Sequence, residues 1–399
     1  MLTIDKIYDA QNTLKGIIRN TEIIKTDKII DNKTIYLKPE ILQVTGAFKI
    51  RGAYNKISKL TKEEKEKGVI TCSAGNHGQG VALAARMNNV KSIVCLPDSA
   101  PIAKVEAIRK YGAEIVMVEG VYDDAHDEAI RLQKEHSYTF IHPFDDEEVI
   151  AGQGTIGLEI LSQINDLDAI VVPIGGGGLI SGIAFSAKTI KPSIKIYGVQ
   201  AANAPSMLNS IKDNKIETLS SVNTIADGIA VKTPGDITFD IVNKYVDDIV
   251  TVSDDEISAA ILKLLEKEKI ICEGAGATSV AALMFNKIEI KDKKVCCVLS
   301  GGNLDVTLLS RIIKRGLMMT GRNYKLKIEL TDKPNELAKI SSIIGKLGAN
   351  IKTIQQERTN EHIELNHCLV SIQIETKSFD HIKQIEDELN KSGYKIIIN

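Results

Sequence analysis

No charge sign dominates this sequence. Its 50 lysines and arginines are interspersed with 52 aspartates and glutamates, for a formal net charge of -2 over 399 residues. A basic face of the kind that follows nucleic acid or an anionic membrane is therefore missing, and small-molecule partners are favoured. No apolar run approaches membrane-spanning length. The start, Met1-Leu2-Thr3-Ile4-Asp5-Lys6, has neither a basic stretch followed by an apolar core nor a cleavage-like site. The expected location is the cytoplasm. Cysteine is sparse: Cys72, Cys95, Cys272, Cys296, Cys297 and Cys368 are scattered, and only Cys296 and Cys297 are adjacent, which is not a metal-ligand spacing. Most lie in apolar runs such as Ile93-Val94-Cys95-Leu96 and read as small buried hydrophobes in a reducing compartment, with no disulfide framework.

What is present is an ordinary globular composition, 43% apolar and 26% charged, long enough for two or three cores. Residues 4–19 have helical spacing, and Ile35 to Pro39 forms a short strand closed by proline. A helix opens at Lys49 and runs to about Leu60. Thr61 and Glu64 form a capping box on a solvated helix. From Val69 onward, buried strand-like runs alternate with helices from about Gly78, around Val105 and Ala129, over Gly152 to Ile164 and from near Leu179, which predicts parallel βαβ units. A longer, less regular stretch separates Ile196-Tyr197-Gly198-Val199 from the strand Val295 to Leu299.

Four segments carry candidate chemistry. Lys49 stands between Phe48 and the apolar-periodic run Ile50, Ala53, Ile57. A lysine so placed can turn inward, where burial lowers its pKa and frees the amine to attack a carbonyl; the bland alternative is a solvated surface lysine. Gly175, Gly176, Gly177 and Gly178 lie between the strand Ala169 to Pro173 and a helix. Backbone N–H groups can converge there on a phosphate at a positive helix terminus, or the run is simply a flexible turn. Glycine at every position and Gln200 after the next strand do not fit a Rossmann fingerprint. The loop Ser73 to His77 precedes a helix and can receive a carboxylate, or serve as an N-cap with a buried polar network. The fourth segment is Ser300-Gly301-Gly302-Asn303, at the end of an apolar strand, where open α/β sheets place ligands.

In this order and spacing, the four segments resemble the fold type II pyridoxal-phosphate enzymes, and more closely the threonine/serine dehydratases (threonine ammonia-lyases), over about residues 3 to 320. The resemblance implies an α/β, tryptophan synthase β-like architecture of two sheets with pyridoxal 5'-phosphate between them. Residues 1–322 would be catalytic, with 48–150 as a smaller mobile part. Lys49 would be the Schiff-base residue and base, with Phe48 beside the cofactor and Gly175 to Gly178 on its phosphate. Ser73, Gly75, Asn76 and His77 would grip the substrate carboxylate, Asn76 also meeting the ring hydroxyl. Ser300 would face the pyridine nitrogen, a neutral partner that favours elimination over transamination. Serine racemases of this family carry serine where Ala74 stands, so racemisation is disfavoured. The racemase branch binds a divalent ion after the strand that here ends in Gln200; Gln200 and Ser206 at the matching positions imply no metal. Glu273 would lie near the cofactor or be a structural carboxylate.

The implied reaction is deamination of L-threonine to 2-oxobutanoate and ammonia through loss of water. A preference for L-serine and a catalytically degenerate amino-acid sensor are the alternatives. Residues 323–399 change character. Lys325 to Leu330 alternates strictly, Glu336 to Leu347 and Phe379 to Leu389 are amphipathic helices, Ile351 to Gln356 and Cys368 to Ile374 read as a strand pair, and Lys395 to Ile398 as a last strand. This βαββαβ order is ferredoxin-like and resembles an ACT regulatory domain. It implies an effector, isoleucine or valine, at Asp332, Asn335 and Asn350 in a homodimer or homotetramer. Many such domains have glycine where Asn335 stands.

Overall fold

The computed structural model describes residues 1–289, 293–358 and 364–397, which form two compact units, Met1–Asp305 and Val306–Asn399. In the first unit the strands are β1 (Ile24–Ile30), β2 (Lys33–Pro39), β3 (Val69–Cys72), β4 (Ser92–Pro97), β5 (Glu114–Val118), β6 (Thr139–Phe140), β7 (Ala169–Pro173), β8 (Lys195–Ala201), β9 (Asp248–Val252) and β10 (Val295–Leu299). They build a six-stranded sheet, β1-β2-β10-β7-β8-β9, and a four-stranded sheet, β5-β4-β3-β6. Every pairing is parallel except β1 with β2. Central strands β3, β7 and β10 are buried at every residue. Strands covered on both faces read as unbroken apolar runs, which is why these were visible in the sequence.

The helix Glu147–Gln163 starts earlier than the spacing predicted, because Asp146 caps it by accepting from Glu148 N–H and Val149 N–H. It touches the helix Gly178–Ile190 backbone to backbone: a Cβ on Gly182 would stand 2.5 Å from Gly154 N. Ile156, Ile170, Val172, Ile183, Ile196 and Val298 fill the core between these helices and the larger sheet. The first helix ends at Leu14 rather than near residue 19, since Lys15 is extended and Gly16 is left-handed at φ 77°.

A buried charge cluster fastens the helix Lys49–Ser58 to the larger sheet. Arg51 Nε and Nη2 donate to Glu40 Oε2 and Oε1, both at 2.8 Å, and Arg51 Nη1 reaches Glu159 Oε1 at 2.6 Å. Lys38, at the end of β2, completes it through Glu159 Oε2 at 2.6 Å. Two cations face two anions, so the cluster carries no net charge into the core.

The second unit begins with the helix Val306–Met319, which the sequence reading did not identify. Its strands β11 (Asn323–Thr331), β12 (Asn350–Glu357), β13 (His367–Glu375) and β14 (Lys395–Ile396) form an antiparallel sheet ordered β12-β13-β11-β14, with helices Glu336–Lys346 and Phe379–Lys391. Leu326, Ile328, Ile340, Ile344, Val370, Ile372 and Ile385 form its core. This is the ferredoxin-like arrangement expected. Ile398, assigned to the last strand from sequence, lies outside the described residues. Among the described residues no helix is long and apolar enough to cross a membrane.

Candidate active site

All four glycine- and lysine-bearing segments converge on one cavity of about 960 Å³ within the first unit. Phe48, Lys49, Ser73, Gly75, Asn76, His77, the four glycines and Ser300 all line it. Lys49 is the first residue of its helix, and the loop before it is joined to the loop after β10. Phe48 N–H donates to Ser300 O at 3.1 Å, Gly302 N–H to Gly46 O at 2.9 Å, and Ala47 bridges Gly301. The lysine and Ser300 are thereby placed by the same pair of backbone segments.

The Lys49 amine donates to Pro143 O at 2.6 Å and lies 5.2 Å from the Phe48 ring centroid. Burial lowers its pKa from the ordinary 10.5 to about 8, against the opposing pull of Glu273. Two imidazoles share this environment. Burial, and then the Lys49 charge, lowers His77 to about 3 and His142 to about 4. His142 Nδ1 accepts from Asp145 N–H at 2.7 Å. His77 Nε2 meets Ile141 O at 2.9 Å, and its Nδ1 has no partner.

The tetraglycine turn leaves β7 and enters the helix Gly178–Ile190 with Gly177 at φ 100°. Its crowding is as telling as its φ. A Cβ on Gly176 would overlap the Phe144 ring, and one on Gly177 would stand 2.7 Å from Thr238 Cβ. Thr238 Oγ1 also donates to Gly176 O at 2.6 Å. A bare backbone at a helix N-terminus, held rigid from outside, is an anion cradle, and it opens into the cavity of a lysine with lowered proton affinity. Those features fit a phosphorylated aldehyde such as pyridoxal phosphate.

The helix after Ser73 begins at Asn76, two residues earlier than predicted, so Asn76 and His77 belong to its first turn. Ser73 Oγ accepts from Gly75 N–H at 3.2 Å. Asn76 sits in a chain of polar contacts: Asn303 Nδ2 donates to Asn76 Oδ1 at 2.7 Å and to Thr45 O at 2.8 Å, while Asn76 Nδ2 donates to Glu273 Oε1 at 2.7 Å. Glu273 lines the cavity, and burial, reinforced by Asp227, raises its carboxyl to about 7. At the rim two ion pairs of opposite polarity link the sheets, Lys104 with Asp227 and Lys232 with Asp123. Gln200 and Ser206 are buried, and Gln200 Oε1 accepts from Leu208 N–H at 2.8 Å.

Sequence reasoning missed Pro143, Phe144 and Thr238, which act through a carbonyl, a ring and a hydroxyl far from any motif. Asn303 was quoted without a role; its place beside Gly301 and Gly302 was the available signal. In the second unit, Asn335, Thr331, Glu336 and His367 line a separate cavity of about 860 Å³. Asp332 instead pairs with Arg358 at 2.7 Å, and Asn350 Nδ2 donates to Glu375 Oε2 at 3.2 Å. These three expected effector residues are not brought together within the chain: Asn350 lies at the sheet end marked by Asn323 and Glu375, Asp332 beyond the end marked by Thr331 and His367.

Two largely parallel sheets facing across a lysine-bearing cavity, with a glycine cradle at one wall, define an α/β enzyme that handles a phosphorylated cofactor. The chain belongs to the pyridoxal-phosphate dependent enzyme family, whose family model spans residues 14–301. It is 43% identical over 400 residues, the whole of both chains, to an L-threonine ammonia-lyase of Thermotoga maritima. Among solved structures it is similar to the processed form of threonine deaminase isoform 2 from Solanum lycopersicum, with TM-score 0.75 and 37% identity over 78% of this chain and 87% of that one. It is also similar to serine racemase from Dictyostelium discoideum, with TM-score 0.72 and 39% identity over 76% of this chain and 99% of that one.

Proposed function

We propose that this chain is a lyase that converts L-threonine to 2-oxobutanoate and ammonia by eliminating water across Cα and Cβ. The observation that carries this reading is the single cavity in which the Lys49 amine, held near pKa 8, shares walls with the tetraglycine turn. Full-length identity to an L-threonine ammonia-lyase supports it. Pyridoxal phosphate, when bound, supplies the electron sink that acidifies the Cα proton.

The chain's own residues do the rest. At pH 7 roughly a tenth of a pKa 8 amine is neutral, so Lys49 Nζ can serve as nucleophile and then take the Cα proton. The N–H groups of Gly175 to Gly178 hold the phosphate. Ser73, Gly75, Asn76 and His77 receive the substrate carboxylate at the N-terminus of the helix Asn76–Met87. Ser300 offers the ring nitrogen an uncharged hydroxyl. Ala74 carries no ionisable group, which leaves the opposite substrate face without a proton donor. Within residues 48–150, the part built on the smaller sheet moves on substrate binding, while the helix Lys49–Ser58 stays with the larger sheet through the Arg51 cluster.

The C-terminal module is a regulatory domain of the ACT type. Its strand order supports this, as does the cavity in which Asn335 sits. A branched-chain amino acid, isoleucine or valine, biases the catalytic unit in a homodimer or homotetramer through unequal affinity for two states. Steady-state deamination of threonine and serine, with and without each branched-chain amino acid, tests both parts. Turnover lost in Lys49→Ala with the fold retained is expected; near wild-type turnover in that variant sinks the catalytic reading. Threonine saturation indifferent to every branched-chain amino acid sinks the regulatory one.

A further inference from the structure

Glu273 is the acidic side chain that opposes the lowering of Lys49's proton affinity, and the roles above leave it without a task. It precedes the helix Gly274–Met284, and its N–H donates to Gly301 O at 3.1 Å, which ties it to the loop that places Ser300. That loop needs glycine for this reason: a Cβ on Gly301 would overlap Glu273 Oε1 and stand 3.0 Å from Asn76 Nδ2. Asn76 is therefore gripped from both ends of its amide. Asn303 Nδ2, anchored on Thr45 O, demands an acceptor on one side, and Glu273 Oε1 demands a donor on the other. Only one amide orientation satisfies both.

We infer that Glu273 is a positioning residue: its carboxylate holds Asn76 with Nδ2 directed so that the second N–H of that amide is presented to the bound cofactor, and its charge balances Lys49. This rests on the reading of the cavity as a pyridoxal phosphate site. The groups that face Glu273 are Lys49 from its own helix, Asp227 from the short turn Asp227–Ile229, Lys104 from the helix Ile102–Lys110, and Asn76. Asp227 disfavours the charged form, whereas Lys104 and the Asn76 amide favour it. Protonation near pH 7 weakens the hydrogen bond from Asn76 and removes the negative charge beside the amine. His77 and His142 titrate well below that range and do not mask it.

The test compares full-length wild-type protein, Glu273→Gln and Glu273→Ala as holoenzymes between pH 5.5 and 9, reading bound-cofactor absorbance and kcat/KM for threonine. Wild type should show an acid-side limb with its midpoint near 7 in both readouts. Glutamine still accepts from Asn76 but cannot titrate, so this variant should keep its cofactor and lose the component with midpoint near 7, leaving only the limb of the Lys49 amine near 8. Alanine removes the acceptor, and cofactor affinity should fall about tenfold, the effect of one charge-assisted hydrogen bond. A limb unchanged in Glu273→Gln, cofactor lost from that variant, or wild-type affinity in Glu273→Ala overturns the inference. If Glu273→Ala does not fold, the isosteric variant decides alone. Wild type that binds no pyridoxal phosphate defeats the underlying reading; wild type that binds it and turns over without a limb near 7 defeats only the role of Glu273.

Discussion

Arg51 and Glu40 face each other as a two-pronged ion pair, both contacts at 2.8 Å, with neither side chain reached by solvent. Arg51 lies two residues beyond Lys49, and Glu40 directly follows β2, so this pair fastens the start of the lysine's helix to the larger sheet. Arg51→Met would leave Glu40 unpaired and Glu159 with Lys38 alone. Breaking such a buried pair costs about 3–5 kcal/mol. The expected outcome is a large drop in the denaturant midpoint of the N-terminal unit. Arg51→Lys should recover only part of it, because an ammonium cannot fork between two carboxylates.

Gly176→Ala should expel the cofactor without unfolding the chain, since the new methyl group would overlap the Phe144 ring. The loss of pyridoxal phosphate affinity should exceed about tenfold, the equivalent of 1.4 kcal/mol. Adding Phe144→Ala should restore part of it. Independent losses in the double variant would mean that the ring does not brace the turn.

His142 makes stability depend on pH with a definite sign. Its pKa falls from 6.5 to about 4 on folding, so the unfolded chain binds more protons between those values. Stability should therefore fall as pH drops through that window, by up to about 3 kcal/mol from this group. His142→Asn keeps an acceptor for Asp145 N–H and cannot charge. Its thermal midpoint should decline less between pH 6.5 and 4 than that of wild type.

Asn335 occupies a left-handed position, φ 77°, immediately before the helix Glu336–Lys346. Glycine adopts that backbone without penalty and asparagine tolerates it, which accounts for asparagine at this position. Asn335→Gly should leave unfolding of the C-terminal unit unchanged or slightly later. Asn335→Val should lower its stability by about 1–2 kcal/mol.

The strands that formed unbroken apolar runs were legible, and so were the motif loops, because burial on both faces and obligatory glycine leave marks in one short segment. β1 left none. It pairs through a register irregularity between Thr26 and Ile30, and its buried residues, Thr26 and Ile29, are three apart rather than alternate. Strand β9 and the helices between residues 206 and 284 were likewise passed over, although Ser253 and Glu256 form a capping box as regular as that of Thr61 and Glu64. Glu273 was noticed without its task, since what sets its proton affinity is burial first and then Asp227, Asn76 and Lys104, each distant in sequence.

The contact between the Lys49 amine and Pro143 O has a mechanical consequence. The chain passes from the larger sheet to the smaller between β2 and β3, and returns between β6 and β7. Lys49 lies on the outward crossing and Pro143 on the return, and they touch. A rotation of one sheet against the other about these two crossings displaces atoms in proportion to their distance from that axis. The amine sits where the two crossings touch, as the pin of a pair of tongs does. Were the jaws to open, the rim pairs of Lys104 with Asp227 and Lys232 with Asp123 would part, while the lysine amine would keep its place.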